Sequence, residues 1–178
     1  MKPTCVFIQG LESSSQGTKG VFFRERYPDM IIEDYSGSFS QRMEKIEGLL
    51  ARKNHLILVG SSYGGLMAAV YAGLHEERVK KLILLAPALH SELLQPYREK
   101  KLTVPTTIFH GRQDRVVPLA PVRAIAEQLF MNLKFNLVED DHFLHDTFAT
   151  LDWDRLLSLQ DLSPSELKAL NSLECRGC

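Results

Sequence analysis

Short apolar runs alternate with longer amphipathic stretches along the chain. The runs are mostly apolar without polar alternation, which is typical of strands covered on both faces of a sheet. They predict six strands, at residues 4–9, 30–33, 55–60, 81–86, 106–111 and 134–139.

Stretches of helix length separate these runs. Their apolar residues recur every three to four positions, which places them on one face of a helix. The pattern predicts helices near residues 18–27 and at residues 41–52, 65–76 and 119–131, and a last helix that begins in "SPSE" at residues 163–166. Ser40 is the predicted N-cap of the second helix.

The order of these elements predicts the fold class. Strands that alternate with helices favour an α/β fold in three layers, in which helices cover both faces of a mostly parallel sheet of about six strands. We interpret residues 1–160 as one domain and residues 161–178 as a C-terminal helix and tail. Ligands on such sheets bind beyond the carboxyl ends of the strands, so residues directly after each strand are the first candidates for a site.

Composition and charge narrow the function classes. The chain has 178 residues, of which 44% are hydrophobic and 24% charged, and its net charge is −1. Such a protein has no strong electrostatic attraction to nucleic acid or anionic lipid. Its apolar runs are too short for membrane insertion or for a signal peptide, so we expect a cytoplasmic location.

The three cysteines fit that expectation. Cys5 lies in the first apolar run and is expected to be a small buried thiol. Cys175 and Cys178 form "CRGC" near the C-terminus, which could be half of a metal site or a redox pair. No second Cys/His pair has zinc-finger spacing, so a frayed tail is the preferred interpretation.

A candidate nucleophile follows the third predicted strand. The segment at residues 60–64, "GSSYG", matches G-x-S-x-G only when Ser62 is central, because centring on Ser61 would put Val59 and Tyr63 at the glycine positions. Small neighbours suit a nucleophile on a strained strand-to-helix turn. A plain Gly-rich turn is the alternative.

Two later strand ends carry a candidate acid and base. Asp114 lies in "FHGRQDRVVP", after the fifth strand, where its carboxylate could orient a histidine. His142 directly follows the last strand, and His145 is placed in the first turn of a following helix. The order Ser, Asp, His is the one expected for a nucleophile-elbow hydrolase. Alternatively, Asp114 is a solvated turn residue.

The identity of the base stays open between two histidines, with His142 preferred over His145. His110 ends a strand and is expected to be a structural neighbour of the site. The other three histidines have no motif around them and are expected at the surface or at helix caps: His55, His75 and His90. A rival interpretation is a metal cluster formed by Asp140, Asp141, His142, His145 and Asp146.

Acyl transfer also needs hydrogen-bond donors for an oxyanion. One expected donor is the backbone N–H of Tyr63, the residue after the nucleophile. The second is expected in the loop after the first strand, "QGLESSSQGTKG", where Leu11 is the best candidate.

With "GSSYGG", "HGRQDRVVP" and "DDHFL" in this order, the chain resembles the α/β-hydrolase superfamily from residue 4 to about residue 158. The loop after the first strand, followed by "DYSGSFS", is similar to small lidless bacterial serine esterases and thioesterases, and to the branch of acyl-protein thioesterases and acyl-glucuronide esterases. The resemblance implies a minimal cap. Many relatives have His-Gly where this chain has Gln9-Gly10.

The resemblance implies Ser62, Asp114 and His142 as catalytic triad, and Leu11 and Tyr63 as oxyanion donors. The expected function is therefore a serine hydrolase, a carboxylesterase or thioesterase, that acts on a small-molecule substrate through an acyl-enzyme. This chemistry needs no cofactor and no metal. The alternative is a hydrolase-like scaffold that binds without turnover. The sequence does not indicate an oligomeric state.

Overall fold

A computed structural model describes residues 2–159 of the chain. Its six strands form one parallel sheet in the order β2-β1-β3-β4-β5-β6. The strands are β1 Thr4–Ile8, β2 Ile31–Ile32, β3 Leu56–Ser61, β4 Val79–Leu85, β5 Thr106–Gly111 and β6 Leu133–Val138. All six predicted strands are confirmed, and so is the three-layer α/β fold class.

Helices cover both faces of the sheet. In the described part of the chain they are α1 Thr18–Arg26, α2 Phe39–Leu50, α3 Tyr63–Leu74, α4 Leu119–Leu129 and α5 Trp153–Leu156. Short 3-10 helices occupy Glu76–Arg78, Glu92–Tyr97 and Phe148–Thr150. Among residues 2–159, no helix is both long and apolar enough to span a bilayer. The helix predicted from residue 163 and the "CRGC" motif lie outside the described residues.

The N-cap of α2 is Ser38, so the prediction of Ser40 is wrong. The Ser38 hydroxyl accepts the Gln41 N–H, and the Ser38 N–H donates to Gln41 Oε1 at 2.8 Å. This reciprocal arrangement needs a glutamine or glutamate three residues after the cap. Ser40 has Met43 at that position, so the helix begins two residues earlier than predicted.

The unbroken apolar runs arise because both faces of the sheet are buried. Val6 and Ile8 of β1 point into one core, while Phe7 between them points into the other. The first core packs against α2, α3 and α4, and the second packs against α1 and α5. The residues that face one side of the sheet and those that face the other are therefore both apolar, as expected for a covered parallel sheet.

The chain reverses its direction of winding at β1. Strand β2 pairs with one edge of β1, and the chain then returns through α2 to β3, which pairs with the other edge of β1. Such a switch point opens a crevice beyond the carboxyl ends of the two diverging strands. The loop after β1 and the turn after β3 both face this crevice.

Helix α3 lies close to the sheet because two residues of its first turn, Gly64 and Gly65, have no side chains. A methyl group at Gly64 would overlap the carbonyl oxygens of Ile8 and Gln9 in β1 and the following loop. Gly64→Ala should therefore lower the free energy of unfolding by about 2 kcal/mol or more, since overpacked cores cost roughly 1–3 kcal/mol. Urea denaturation followed by circular dichroism measures the change.

A matched substitution in α2 is the control. Gly48 lies in the exposed face of that helix, and a methyl group there would meet no atom of residues 2–159 within 4 Å. Gly48→Ala should stabilise the protein by about 0.5–1 kcal/mol, because alanine favours the helix. If Gly64→Ala is as stable as the unmodified protein, the close approach of α3 to β1 is wrong.

Candidate active site

Ser62 occupies a strained turn between β3 and α3. Its backbone angles are φ 54° and ψ −114°, a region that residues with a side chain rarely adopt. The Ser62 N–H donates to Leu85 O at 2.8 Å, and the Ser62 carbonyl accepts N–H groups of Gly65 and Ala88. These bonds tie the turn to the end of β4 and hold the serine in its strained conformation.

Glycine is required on both sides of this turn for lack of space. A Cβ at Gly60 would overlap the Gly64 carbonyl oxygen, and a Cβ at Gly64 would overlap the Ile8 carbonyl oxygen. A Cβ at Gly65, the residue after the motif, would lie 2.7 Å from Pro87 Cβ. The G-x-S-x-G pattern thus reflects a close approach of strand, helix and neighbouring loop, as the sequence predicts.

Asp114 lies in the loop after β5, with its side chain fully buried. Its Oδ1 accepts the N–H groups of Val116 and Val117, both at 2.8 Å. Its Oδ2 is 2.8 Å from His142 Nδ1. The two backbone N–H groups fix the carboxylate so that its second oxygen faces the histidine.

His142 joins the other two predicted residues in one chain of hydrogen bonds. Its Nδ1 contacts Asp114, and its Nε2 lies 3.0 Å from Ser62 Oγ. Because a carboxylate only accepts hydrogen bonds, we assign the ring proton to Nδ1. Nε2 then has a lone pair facing the Ser62 hydroxyl, which is the geometry that proton abstraction from this serine requires.

His145 does not lie in a helix, so that prediction is wrong. It lies in an exposed turn, with Nδ1 2.9 Å from Asp141 Oδ2. The chain turns here because two aspartates bind its backbone: Asp141 accepts the Phe143 N–H, and Asp140 accepts N–H groups of residues 141, 146 and 147. The structure therefore brings His142, and not His145, to Ser62.

The metal cluster interpretation is not supported by the arrangement of these side chains. Burial raises the pKa of Asp140, but hydrogen bonds from Thr147, Asp141 and Asp146 outweigh it and hold that pKa below its usual value. The Asp140 carboxylate thus already accepts hydrogen bonds from the backbone of its own loop. Within residues 2–159, no group of three or more His, Cys, Asp or Glu side chains is placed to hold a metal ion.

His110 is a buried neighbour of the candidate acid, as expected. Its Nε2 lies 3.2 Å from the Val117 carbonyl oxygen and 3.6 Å from Asp114 Oδ2. Burial lowers the pKa of His110, although the charge of Asp114 and the bond to Val117 oppose the shift. A neutral His110 donates from Nε2 and supports the loop that carries Asp114.

Both predicted oxyanion donors lie at the crevice. A methyl group built on Gly10 would lie 3.5 Å from Ser62 Cβ, so the loop after β1 contacts the serine. The Tyr63 N–H is at the first position of α3, where a helix offers it no acceptor. The Leu11 N–H also donates no hydrogen bond to any group among residues 2–159.

A cavity of about 800 Å³ contains Ser62, His142, Leu11 and Tyr63 in its lining. The loop after β1 and the start of α1 supply polar lining residues, Ser13, Ser14, Thr18 and Lys19, and the apolar lining residues include Val116, Phe143 and Phe148. A second cavity of about 540 Å³ lies at the other ends of β5 and β6, and none of the described residues that line it is a serine or a histidine.

Three further residues line this cavity that the sequence did not predict as site residues. His90 was expected at the surface, and it is exposed but also lines the cavity. Gln9 is 1% exposed, and neither polar atom of its side chain has a partner in the described residues. Lys19 is half-buried, and its Nζ donates to the Phe143 carbonyl oxygen at 2.6 Å. No motif marks Lys19 or His90, and only the departure from His-Gly draws attention to Gln9.

The comparisons with known proteins agree with this fold. A profile of the α/β-hydrolase fold family matches residues 12–102, about half of the chain. The chain therefore belongs to the α/β-hydrolase family. No curated protein matches it by sequence.

Several solved structures share the fold at low sequence identity. A YdeN-like hydrolase from Pectobacterium atrosepticum is 19% identical, with a TM-score of 0.66 over 98% of this chain and 92% of that one. Est1E from Butyrivibrio proteoclasticus is 20% identical, with a TM-score of 0.67 over 96% and 89%. A monoacylglycerol lipase from Paleococcus ferrophilus is 12% identical, with a TM-score of 0.64 over 99% and 96%.

Proposed function

We propose that this α/β hydrolase is a serine hydrolase that cleaves carboxylic esters or thioesters of small molecules. The observation that carries the proposal is the single chain of contacts from Ser62 Oγ through His142 to Asp114, at 3.0 and 2.8 Å. Nucleophile, base and orienting acid lie in the order that activates a serine.

In the proposed reaction, Ser62 Oγ attacks the carbonyl carbon of the substrate while His142 Nε2 takes the hydroxyl proton. The carbonyl oxygen becomes an oxyanion, which accepts hydrogen bonds from the N–H groups of Leu11 and Tyr63. Asp114 accepts the hydrogen bond from Nδ1–H, which stays on the ring, and stabilises the imidazolium. Collapse of the intermediate breaks the bond to the alcohol or thiol, which leaves with the proton from His142.

The second half of the reaction repeats these roles with water. His142 takes a proton from a water molecule, which attacks the acyl group on Ser62. The second tetrahedral intermediate releases the carboxylic acid, and the proton returns to Ser62 Oγ. The atoms balance as hydrolysis of one ester or thioester by one water.

The choice of ester or thioester rests on the resemblance of "QGLESSSQGTKG" and "DYSGSFS" to small bacterial serine esterases and to acyl-protein thioesterases. Est1E and the monoacylglycerol lipase share the fold, and the second is named for lipid hydrolysis. The short crossover from β4 to β5 is consistent with a small cap, since Leu89 and Leu94 are buried in the core and neither lines the cavity. We therefore expect small, soluble esters to be accepted.

Replacement of the nucleophile is the first test. Ser62→Ala should abolish both labelling by a fluorophosphonate probe and hydrolysis of a p-nitrophenyl ester, because Ser62 Oγ is the atom that His142 contacts. Labelling is read by mass spectrometry of the intact protein, and hydrolysis by release of nitrophenol.

The neighbouring serine provides the matched control. Ser61 is the last residue of β3 and has the same chemistry one position away. Ser61→Ala should keep most of the labelling and of the hydrolysis. A Ser62→Ala protein that still reacts would mean that another group is the nucleophile, and an unlabelled parent protein would favour the binding scaffold.

Replacement of the two histidines separates the base from its neighbour. His142→Ala should lower kcat by at least about 10³-fold, as expected when a catalytic triad loses its base. His145→Ala should retain kcat within about threefold, because its ring contacts Asp141 at the surface. Steady-state kinetics on both variants, with folding checked by circular dichroism, measure the difference.

The opposite pattern would move the base to His145. Turnover by a folded His142→Ala protein at the parent rate would contradict the hydrogen-bonded arrangement as the source of activity.

A further inference from the structure

The cavity that contains Ser62 also contains a lysine that the proposed reaction does not use. Lys19 and the two residues that its ammonium group contacts, Phe143 and Phe148, all line this cavity. Nζ lies 2.6 Å from the Phe143 carbonyl oxygen and 5.3 Å from the centre of the Phe148 ring. The positive charge is therefore placed in the wall of the site, beside the segment that carries His142.

No carboxylate of residues 2–159 forms an ion pair with this ammonium group. Asp140 and Asp141, the two acidic residues whose charges act on Lys19, form hydrogen bonds with other groups. Asp140 accepts backbone N–H groups, and Asp141 accepts the Phe143 N–H and contacts His145. Their charges raise the pKa of Lys19, but burial outweighs them and lowers it.

An ammonium group has three N–H donors, and one of those of Lys19 is used by Phe143. The others have no acceptor within the described part of the chain. A partly buried cation without a counter-ion is costly, and the cost rises when a bound substrate expels water from the cavity. An anionic group on the substrate would remove this cost.

The surroundings favour a carboxylate over a more highly charged anion. Among the described residues that line the cavity, Lys19 is the one Lys or Arg side chain, and two of its neighbours are aromatic. A single cation balances one negative charge, whereas a phosphate dianion would need more donors. The carboxylate of Glu12 also lines the cavity, but it is exposed to water, where its repulsion is screened.

We propose that Lys19 is a specificity-determining residue that binds a carboxylate carried by the substrate. The substrate class is then an ester or thioester that has a free acid group in addition to the bond that is cleaved, such as the monoester of a dicarboxylic acid. This inference rests on the proposed function, because it concerns the substrate of the same site.

Three substrates test the proposal. They are p-nitrophenyl hexanoate, the p-nitrophenyl monoester of adipic acid, and a nitrophenyl hexanoate whose ring carries a carboxylate. The second and third place an acid on the acyl part or on the alcohol part of the ester. We expect kcat/KM for one of the acids to exceed that for the neutral ester by at least about tenfold, as one charge-assisted hydrogen bond allows.

The ratio of the acid and neutral values is the informative quantity. Lys19→Met should reduce this ratio at least about tenfold, and Lys19→Arg should restore most of it, because the charge is kept. Any shared loss from the broken contact with Phe143 affects both substrates and cancels in the ratio. Lys2→Met, which removes an exposed lysine that pairs with Asp29, is the control and should leave the ratio unchanged.

Two results would overturn the inference. One is a parent protein that does not prefer either acid. The other is a Lys19→Met protein that loses activity equally on acid and neutral esters, which would make Lys19 a positioning residue for the His142 segment.

Failure of the proposed function has a separate signature, because then no ester is hydrolysed and no probe labels Ser62. Binding of monoethyl adipate, measured by calorimetry, still tests Lys19 in that case. Ser62→Ala should bind it at least about tenfold more tightly than the same protein with Lys19→Met added. Equal affinities would also overturn the inference.

Discussion

Backbone hydrogen bonds hold Ser62 in a strained turn with a positive φ, and the candidate site depends on this constraint. The N–H of Ser62 donates to Leu85 in β4, and its carbonyl accepts from Gly65 and Ala88. Strain of this kind costs about 1–3 kcal/mol and persists only when surrounding contacts determine it. Here the contacts are those of α3 with the centre of the sheet, where Gly64 touches the end of β1. The same contacts bring the loop after β1 to the serine.

The parallel sheet explains why residues distant in sequence meet at this turn. Asp114 follows β5 and His142 follows β6, and the carboxyl ends of both strands lie at one edge of the sheet. The two loops are joined closely: Arg112 N–H donates to Val138 O at 2.8 Å, and Gln113 N–H donates to Asp140 O at 3.0 Å. A side chain at Gly111 would overlap the carbonyl oxygens of Asp140 and Asp141. The distance between Asp114 and His142 is thus set by backbone contacts.

Much of this could be predicted from the sequence, because the signals are local. Buried strands produce unbroken apolar runs, and the strained turn needs glycines at fixed positions around Ser62. Two predictions were wrong, the N-cap at Ser40 and the helix at His145, and at both places side chains bind the backbone. The reciprocal bonds of Ser38 and Gln41 begin α2 earlier than Ser40 would, and the carboxylates of Asp140 and Asp141 fold the segment of His145 into a turn. Lys19 could not be predicted, since it meets Phe143 across a separation of 124 residues.

In the proposed reaction, Ser62 forms a covalent bond to the acyl group of an ester. Acid quenching of the protein during its first turnover of p-nitrophenyl hexanoate, followed by peptide mapping with mass spectrometry, tests it directly. One hexanoyl group is expected on the peptide that contains Ser62, formed together with nitrophenol and lost as hexanoic acid appears. Release of nitrophenol with no acyl group on the protein, or with the acyl group on another residue, would contradict it.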